Sequence, residues 1–350
     1  MKKLFVFTFI FIVFLTALLR LYNLDNRPAH FDEGGGHAIG VRTLINEGRY
    51  IYDPDFHGPF LYHITALAFI LFGMSDITLR VTQAIFGILT VGILWLLKDH
   101  LKKDALIAAA LLLAISPSLV YYSRFAVHDS YFVFFSIAFI VFLFLYSKER
   151  KEKYLYLTSA SLAFLFTVKE NAYIFLAVVG FCFFVEFVIE SIRIKGKFSK
   201  KIAKNPYTAW IRHNTKQLAI SFVIFIVIFA TIYTSFFRYP QNFIIAISEP
   251  FNHWLKKSTE QSGFVQPVEF YFRILREYDT AILFFGLLGI ITPFFANNSY
   301  TRFASIFGFL NLIIYLLMPY KEPNNIVHAV LPLAIASLSF FEQLKKNIKK

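Results

Sequence analysis

The sequence predicts an all-α, polytopic membrane protein, on three observations. Of its 350 residues, 57% are hydrophobic and 19% aromatic, with 45 phenylalanines, more apolar surface than a soluble domain of this length buries. The apolar residues arrive in blocks of about 15–20, the length that crosses a bilayer as a helix. Most charged residues fall between the blocks. The net charge of +13 and the pI near 9.6 therefore read as basic cytoplasmic loops facing anionic lipid, not as a nucleic-acid surface.

The N-terminal run MKKLFVFTFIFIVFLTALLRLYNL has a basic start and a long apolar core. No small-x-small cleavage site follows, so an uncleaved first helix is expected. About ten spans are expected in all: 4–22, 78–97, 104–122, 130–146, 154–168, 172–190, 217–237, 280–296, 303–319 and 325–341. No repeat or low-complexity linker divides them, so residues 1–350 read as a single membrane domain. Cys182 is the only cysteine, which excludes an internal disulfide.

The apolar stretch FLYHITALAFILFG (60–73) is too short for a span and suits an interfacial helix. With this segment on the surface and the N-terminus inside, most of the 35 Lys and Arg residues fall in cytoplasmic segments, eight of them between Arg193 and Lys216. A crossing at 60–73 would move most of those outside, against the positive-inside bias. Both termini are then cytoplasmic. Large external loops span about 23–77 and 238–279. Most acidic residues and seven of the nine histidines (30, 37, 57, 63, 128, 253 and 328) lie outside, so the chemistry is expected on the external face of the cell membrane.

Each constellation there has a functional and a plain structural reading. HFDEGGGHA (30–38) sets two carboxylates beside three glycines. Asp32 suits a general base. Glu33 and His37, four apart, share a face if helical, which suits metal binding or hydrogen bonding; a solvated Gly-rich turn is the alternative. DPDFHGP (53–59) offers Asp55 and His57 as ligands, or simply a rigid connector. Arg124 and Asp129, in YSRFAVHD, sit at the membrane surface, where arginine grips phosphate or anchors the interface. Lys169 and Glu170, in VKENAY, make up much of a short connection; charge this close to lipid is usually paired or functional. PYKEPNNIVH repeats the Lys-Glu pattern with Lys321 and Glu322, and His328 reads as a satisfied core histidine. Trp254, Lys256 and Lys257 either cover a lipid headgroup or form an aromatic belt. No Walker loop, GxSxG, HExxH or paired CxxC is present.

Taken together, these residues resemble the GT-C superfamily of membrane glycosyltransferases, which includes the protein O-mannosyltransferase (PMT) family. The likeness is closest to the archaeal and bacterial flippase-associated Agl-type proteins. It rests on HFDEGGGHA, YDPDFHGPFLYH, YSRF with Asp129, KENAY and the late YK.P....H, and it is strongest over 20–175. A tripled glycine stands where bulkier residues are expected.

The resemblance implies an inverting hexosyltransferase that moves a sugar from a polyprenyl-phosphate donor to an acceptor hydroxyl. In that reading Asp32 is the general base and Glu33 supports it. Arg124, Lys169 and Lys321 converge on the leaving phosphate, with Asp129 beside them. His37, His57 and Glu33 orient the base or hold a divalent metal, the one cofactor left open. The alternatives are a non-catalytic partner of a lipid-linked glycan flippase, or an ion-coupled transporter, for which Glu186 is the clearest mid-membrane carboxylate.

Overall fold

The computed structural model describes the whole chain except residues 1, 30, 31, 49, 51, 260–264 and 348–350, and omits the side chains of 2, 35, 251–259 and 345–347. His30 and the side chains of His253, Trp254, Lys256 and Lys257 therefore lie outside the described residues. The helices run α1 (Lys2–Leu21), α2 (Ala38–Glu47), α3 (Phe60–Phe72), α4 (Asp76–Gly92), α5 (Lys103–Ile115), α6 (Pro117–Tyr122), α7 (Asp129–Glu149), α8 (Glu152–Val168) and α9 (Ala172–Arg193). They continue as α10 (Phe198–Lys204), α11 (Pro206–His213), α12 (Thr215–Tyr233), α13 (Asn242–Thr259), α14 (Glu269–Glu277), α15 (Thr280–Ile291), α16 (Ser299–Leu317) and α17 (Val327–Asn347). No β-strand occurs among the described residues, apart from an isolated bridge between Val265 and Tyr320.

All ten expected spans are helical, and seven helices are long and apolar enough to cross a membrane. The protein is a multi-pass membrane protein. The other three segments are shorter for identifiable reasons. Expected span 104–122 is broken at Ser116–Pro117, because Pro117 has no N–H to donate to Leu113. The guanidinium of Arg20 takes the carbonyls left over at that break, donating to Leu113 O at 3.2 Å and Ala114 O at 3.0 Å, and so ties α1 to α5. Helix α8 has 17 residues, and α15 ends at Ile291 before a 3-10 turn at Thr292–Phe294.

Burial shows which helices face lipid. Only 11% of the apolar window of α12 is buried within the protein, against 89% for the segment containing α17. Helix α17 is thus the axis of the bundle, packed by α15, α16 and α5, while α12 is peripheral. Helix α3 has 13 residues, about 20 Å at 1.5 Å per residue, too short for the ~30 Å hydrocarbon core. Its first turn is buried, whereas Ile70, Leu71 and Phe72 are exposed apolar residues, the pattern of a helix entering the interface by one end. Ser75 starts α4 by accepting the Thr78 N–H at 3.1 Å.

Candidate active site

The segment Glu33–His37 forms one turn of π-helix, with Asp32 preceding it and α2 continuing from it. Such turns are rare and often sit at functional sites. Gly36 lets this one pack closely on the second half of the loop: a Cβ there would lie 2.7 Å from the Phe56 ring, which would have to shift.

Within the turn, Glu33 and His37 share a face, as their spacing predicts. Their partner is protein backbone. Glu33 Oε1 accepts the Ala126 N–H at 3.1 Å, and His37 Nδ1 donates to the Ala126 carbonyl at 2.7 Å. Arg80 then closes on both Glu33 oxygens at 2.8 Å, and Glu33 is 1% exposed. Glu33, expected to support catalysis or hold a metal, bonds Arg80 and the Ala126 N–H through its two oxygens and so fixes the turn that carries its neighbour. Asp32 is half-buried. Its charge acts on His37, Tyr62 and Tyr320, which places it among the first loop and the 320 loop.

The second half of loop 1 is docked onto the end of α8. Gly58 donates to the Val168 carbonyl at 3.0 Å, and a Cβ there would lie 2.1 Å from the Thr167 carbonyl oxygen. His57, just before it, has φ +61 and ψ −165, a conformation costly for any residue with a Cβ. The strain accompanies a fixed side chain: His57 Nδ1 donates to Glu170 Oε2 at 2.7 Å, and Tyr52 Oη donates to Glu170 Oε1 at 3.0 Å. Burial opposes the charge on Glu170, but His57 and these hydrogen bonds outweigh it and hold the carboxyl below its usual range. Burial also pushes His37 down to about 4 and His128 well below its ordinary value.

Asp129 and Lys169 form the buried centre of the site. Lys169 Nζ donates to Asp129 Oδ1 at 3.2 Å and to Asn325 Oδ1 at 2.9 Å, and Asn324 donates to Asp129 Oδ2 at 3.2 Å. Burial penalises the ammonium, but Asp129 more than compensates and raises its pKa. Asp129, expected beside the phosphate-binding residues, is the counter-ion of Lys169.

Arg124 and Lys321, expected to converge with Lys169, each have their own hydrogen-bond partners. Arg124 donates to the carbonyls of Leu19 at 2.6 Å and Tyr22 at 2.7 Å, groups that a helix end leaves without N–H partners. Lys321 donates to the carbonyls of Met318 and Gln266. The three cations share no polar partner in these contacts. His328 is buried against Tyr315 and Phe132 with neither ring nitrogen hydrogen-bonded, so it is not a satisfied core histidine. Asp55 lies near Tyr320. Among the described residues, no group of three or more His, Cys, Asp or Glu is arranged to hold a metal ion. Glu186, the candidate for ion coupling, is clamped through both oxygens by Arg302 at 2.6 Å.

Sequence reasoning gave no role to Arg80, Tyr52, Asn324 or Asn325. Only Arg80 carried a signal, as a charged residue inside an apolar block.

Comparison with known proteins gives a consistent fold. Residues 56–203 match the family described as dolichyl-phosphate-mannose-protein mannosyltransferase. An uncharacterized protein from Aquifex aeolicus is 24% identical over 169 residues, covering 45% of this chain and 34% of that protein. Among solved structures, ArnT from Cupriavidus metallidurans bound to undecaprenyl phosphate superposes with a TM-score of 0.70 at 15% identity, covering 96% of this chain and 59% of ArnT. The oligosaccharyltransferase AglB from Archaeoglobus fulgidus, in complex with an inhibitory peptide and a dolichol-phosphate, gives 0.66 at 15% identity, over 99% and 52%. The Pmt1-Pmt2 protein O-mannosyltransferase of S. cerevisiae bound to the sugar donor gives 0.50 at 20% identity, over 66% and 34%. This chain thus spans about a third to three-fifths of the length of the proteins it matches.

Proposed function

The chain has the GT-C fold of membrane glycosyltransferases, and from that premise we propose that it transfers a sugar from a polyprenyl-phosphate donor to an acceptor hydroxyl at the external face, with both termini cytoplasmic. One observation carries the reading: Asp32 is a half-buried carboxylate held on a turn that Glu33, Arg80 and Ala126 lock in place. A general base needs this combination of access and fixed position. Asp32 takes the proton from the acceptor hydroxyl as that oxygen attacks the anomeric carbon. The bond from that carbon to the phosphate oxygen breaks, and the polyprenyl phosphate leaves with its electron pair. Inversion follows from the single displacement.

The Lys169–Asp129 pair ties the start of α7 and the α8–α9 connection to the 320 loop through Asn324 and Asn325. Arg124 and Lys321 are the cations for the leaving phosphate, because carbonyls rather than a carboxylate hold both. A divalent metal would need ligands beyond those gathered here, and no step is routed through one.

The test is Asp32→Asn in proteoliposomes, followed by release of polyprenyl phosphate from a sugar-charged donor. Turnover should fall by about 10²-fold or more with expression and donor binding unchanged. Parental turnover would remove the catalytic role and favour a non-catalytic partner of a lipid-linked glycan flippase.

A further inference from the structure

His328 is a buried polar group that the proposed sugar transfer does not use. It is 4% exposed, and both of its ring nitrogens lack a hydrogen-bond partner. Asp129 Oδ1 is 3.9 Å from Nε2, beyond hydrogen-bond reach. Ser136, two turns into α7 and 1% exposed, has an equally unmet hydroxyl. The two side chains line one cavity of about 10 Å³, walled by Phe132, Phe175, Phe307 and Leu331.

A second cavity, also about 10 Å³, is lined by Arg20, Thr90, Ser123, Asp129 and Ser130. Val133 and Val327 line both, so the two spaces are neighbours across that pair. Here the unmet group is Arg20 Nε, in a side chain 1% exposed.

The hydrogen-bonding character of each lining defines what fits. In the second cavity the hydroxyls of Thr90, Ser123 and Ser130 give their hydrogens to the carbonyls of Phe86, Val120 and Gln83. They have only lone pairs left to offer, as does the Asp129 carboxylate, whereas Arg20 Nε offers an N–H. A cation there would be repelled by the guanidinium, and an anion by the carboxylate. The lining calls for a neutral molecule that accepts from Arg20 and donates to the oxygens. In the first cavity a neutral imidazole presents one N–H and one lone pair, and the Ser136 hydroxyl can give or accept. Its ligand must also do both. A space of about 10–15 Å³ is what the centre of one water needs, and a buried water makes about three hydrogen bonds.

We infer that each cavity binds one water molecule, the first joining His328 to Ser136 and the second joining Arg20 Nε to Asp129 and the hydroxyls around it. The second water makes Arg20 a further cation acting on Asp129, beside Lys169. It also ties the Ser116–Pro117 break, where Arg20 holds the Leu113 and Ala114 carbonyls, to the start of α7. The first makes His328 a water-holding residue next to the Lys169–Asp129 pair. Neither site involves a substrate, so both stand apart from the donor-lipid reading.

Ser136→Ala separates a wet cavity from a dry one by the sign of its effect. In a dry cavity the hydroxyl is a buried polar group without a partner, and its removal stabilises the fold. With water bound, the same change takes a hydrogen bond from that water and destabilises the fold. The unfolding constant of the purified full chain in detergent should rise about 5-fold in Ser136→Ala, the equivalent of one ordinary hydrogen bond. An unchanged or lowered constant would overturn the water on His328. For the other site, a structure of the full chain at a resolution that shows ordered water should carry a density peak within hydrogen-bond distance of both Arg20 Nε and an Asp129 oxygen. A map that shows ordered water elsewhere in the bundle and none there would overturn it.

Discussion

Two loops of this protein carry the same dipeptide and use it differently. Lys169–Glu170 connects α8 to α9, and Lys321–Glu322 lies between α16 and α17. In the first loop both charges pair with side chains from distant elements, Lys169 with Asp129 and Asn325, and Glu170 with His57 and Tyr52. In the second, Lys321 rests on the carbonyls of Met318 and Gln266, the Glu322 carboxylate accepts from Tyr320 two residues away, and the Glu322 carbonyl accepts from Tyr271. One loop is cross-linked through charge, the other through backbone. A buried ion needs an opposite charge to offset its desolvation. An ammonium held by carbonyls keeps its charge available to a ligand.

That contrast is broken most directly at its strongest link. Lys169→Met leaves Asp129 buried and unpaired, which should cost about 3–5 kcal/mol in detergent unfolding. Adding Asp129→Asn should recover most of the loss, because the orphan charge goes with its partner. A single variant as stable as the parent would mean that the pair is not closed in the working protein.

Lys321→Met should cost less, about 1–3 kcal/mol, since it strands neutral carbonyls and not a charge. Its larger effect should fall on affinity for bare undecaprenyl phosphate, read by titrating the purified full chain with that lipid. If instead Lys169→Asn, paired with Asp129→Asn to keep the fold, weakened lipid binding more than Lys321→Met, the assignment of available charge to the second loop would be reversed.

The spans were legible because hydropathy blocks survive any detail of packing, whereas the break at Ser116–Pro117 inside expected span 104–122 was not anticipated. The division of labour between Asp32 and Glu33 was not legible. It depends on Arg80, which reaches Glu33 from 47 positions away. The four-residue spacing of Glu33 and His37 correctly gave a shared face, but not their partner, because a backbone peptide such as that of Ala126 has no signature in sequence. The partners of Arg124 were hidden for the same reason, since the carbonyls it caps are invisible until the chain folds. His57 was recognisable as a chemical group, whereas its strained backbone and its link to Glu170 depend on α8 ending where Gly58 docks.

The smallest expected effect sharpens the first loop's side of the comparison. Glu170→Gln keeps the shape and still accepts from Tyr52, so at neutral pH it should cost only about 1 kcal/mol. Its consequence lies in pH. The Glu170 carboxyl is held below its ordinary 4.5 in the folded protein. The unfolded chain therefore binds this proton at a higher pH than the native one does. Stability from Glu170 is complete above about 4.5 and is lost as pH falls through the lower folded value. His37 works in a separate window: its folded value of about 4 lies under its ordinary 6.5, so its stability falls as pH drops from 6.5 towards 4. Unfolding followed against pH should show both slopes in the parent. Glu170→Gln should flatten only the part below about 4.5, and His37→Asn only the part above about 4. The glutamine amide also presents a donor to His57 Nδ1. The His57 tautomer should then switch, placing the hydrogen on Nε2, and ¹⁵N chemical shifts of the ring would report it. If the acid slope below 4.5 persisted unchanged in Glu170→Gln, the carboxylate would not be carrying the charge that separates this loop from its Lys321–Glu322 counterpart.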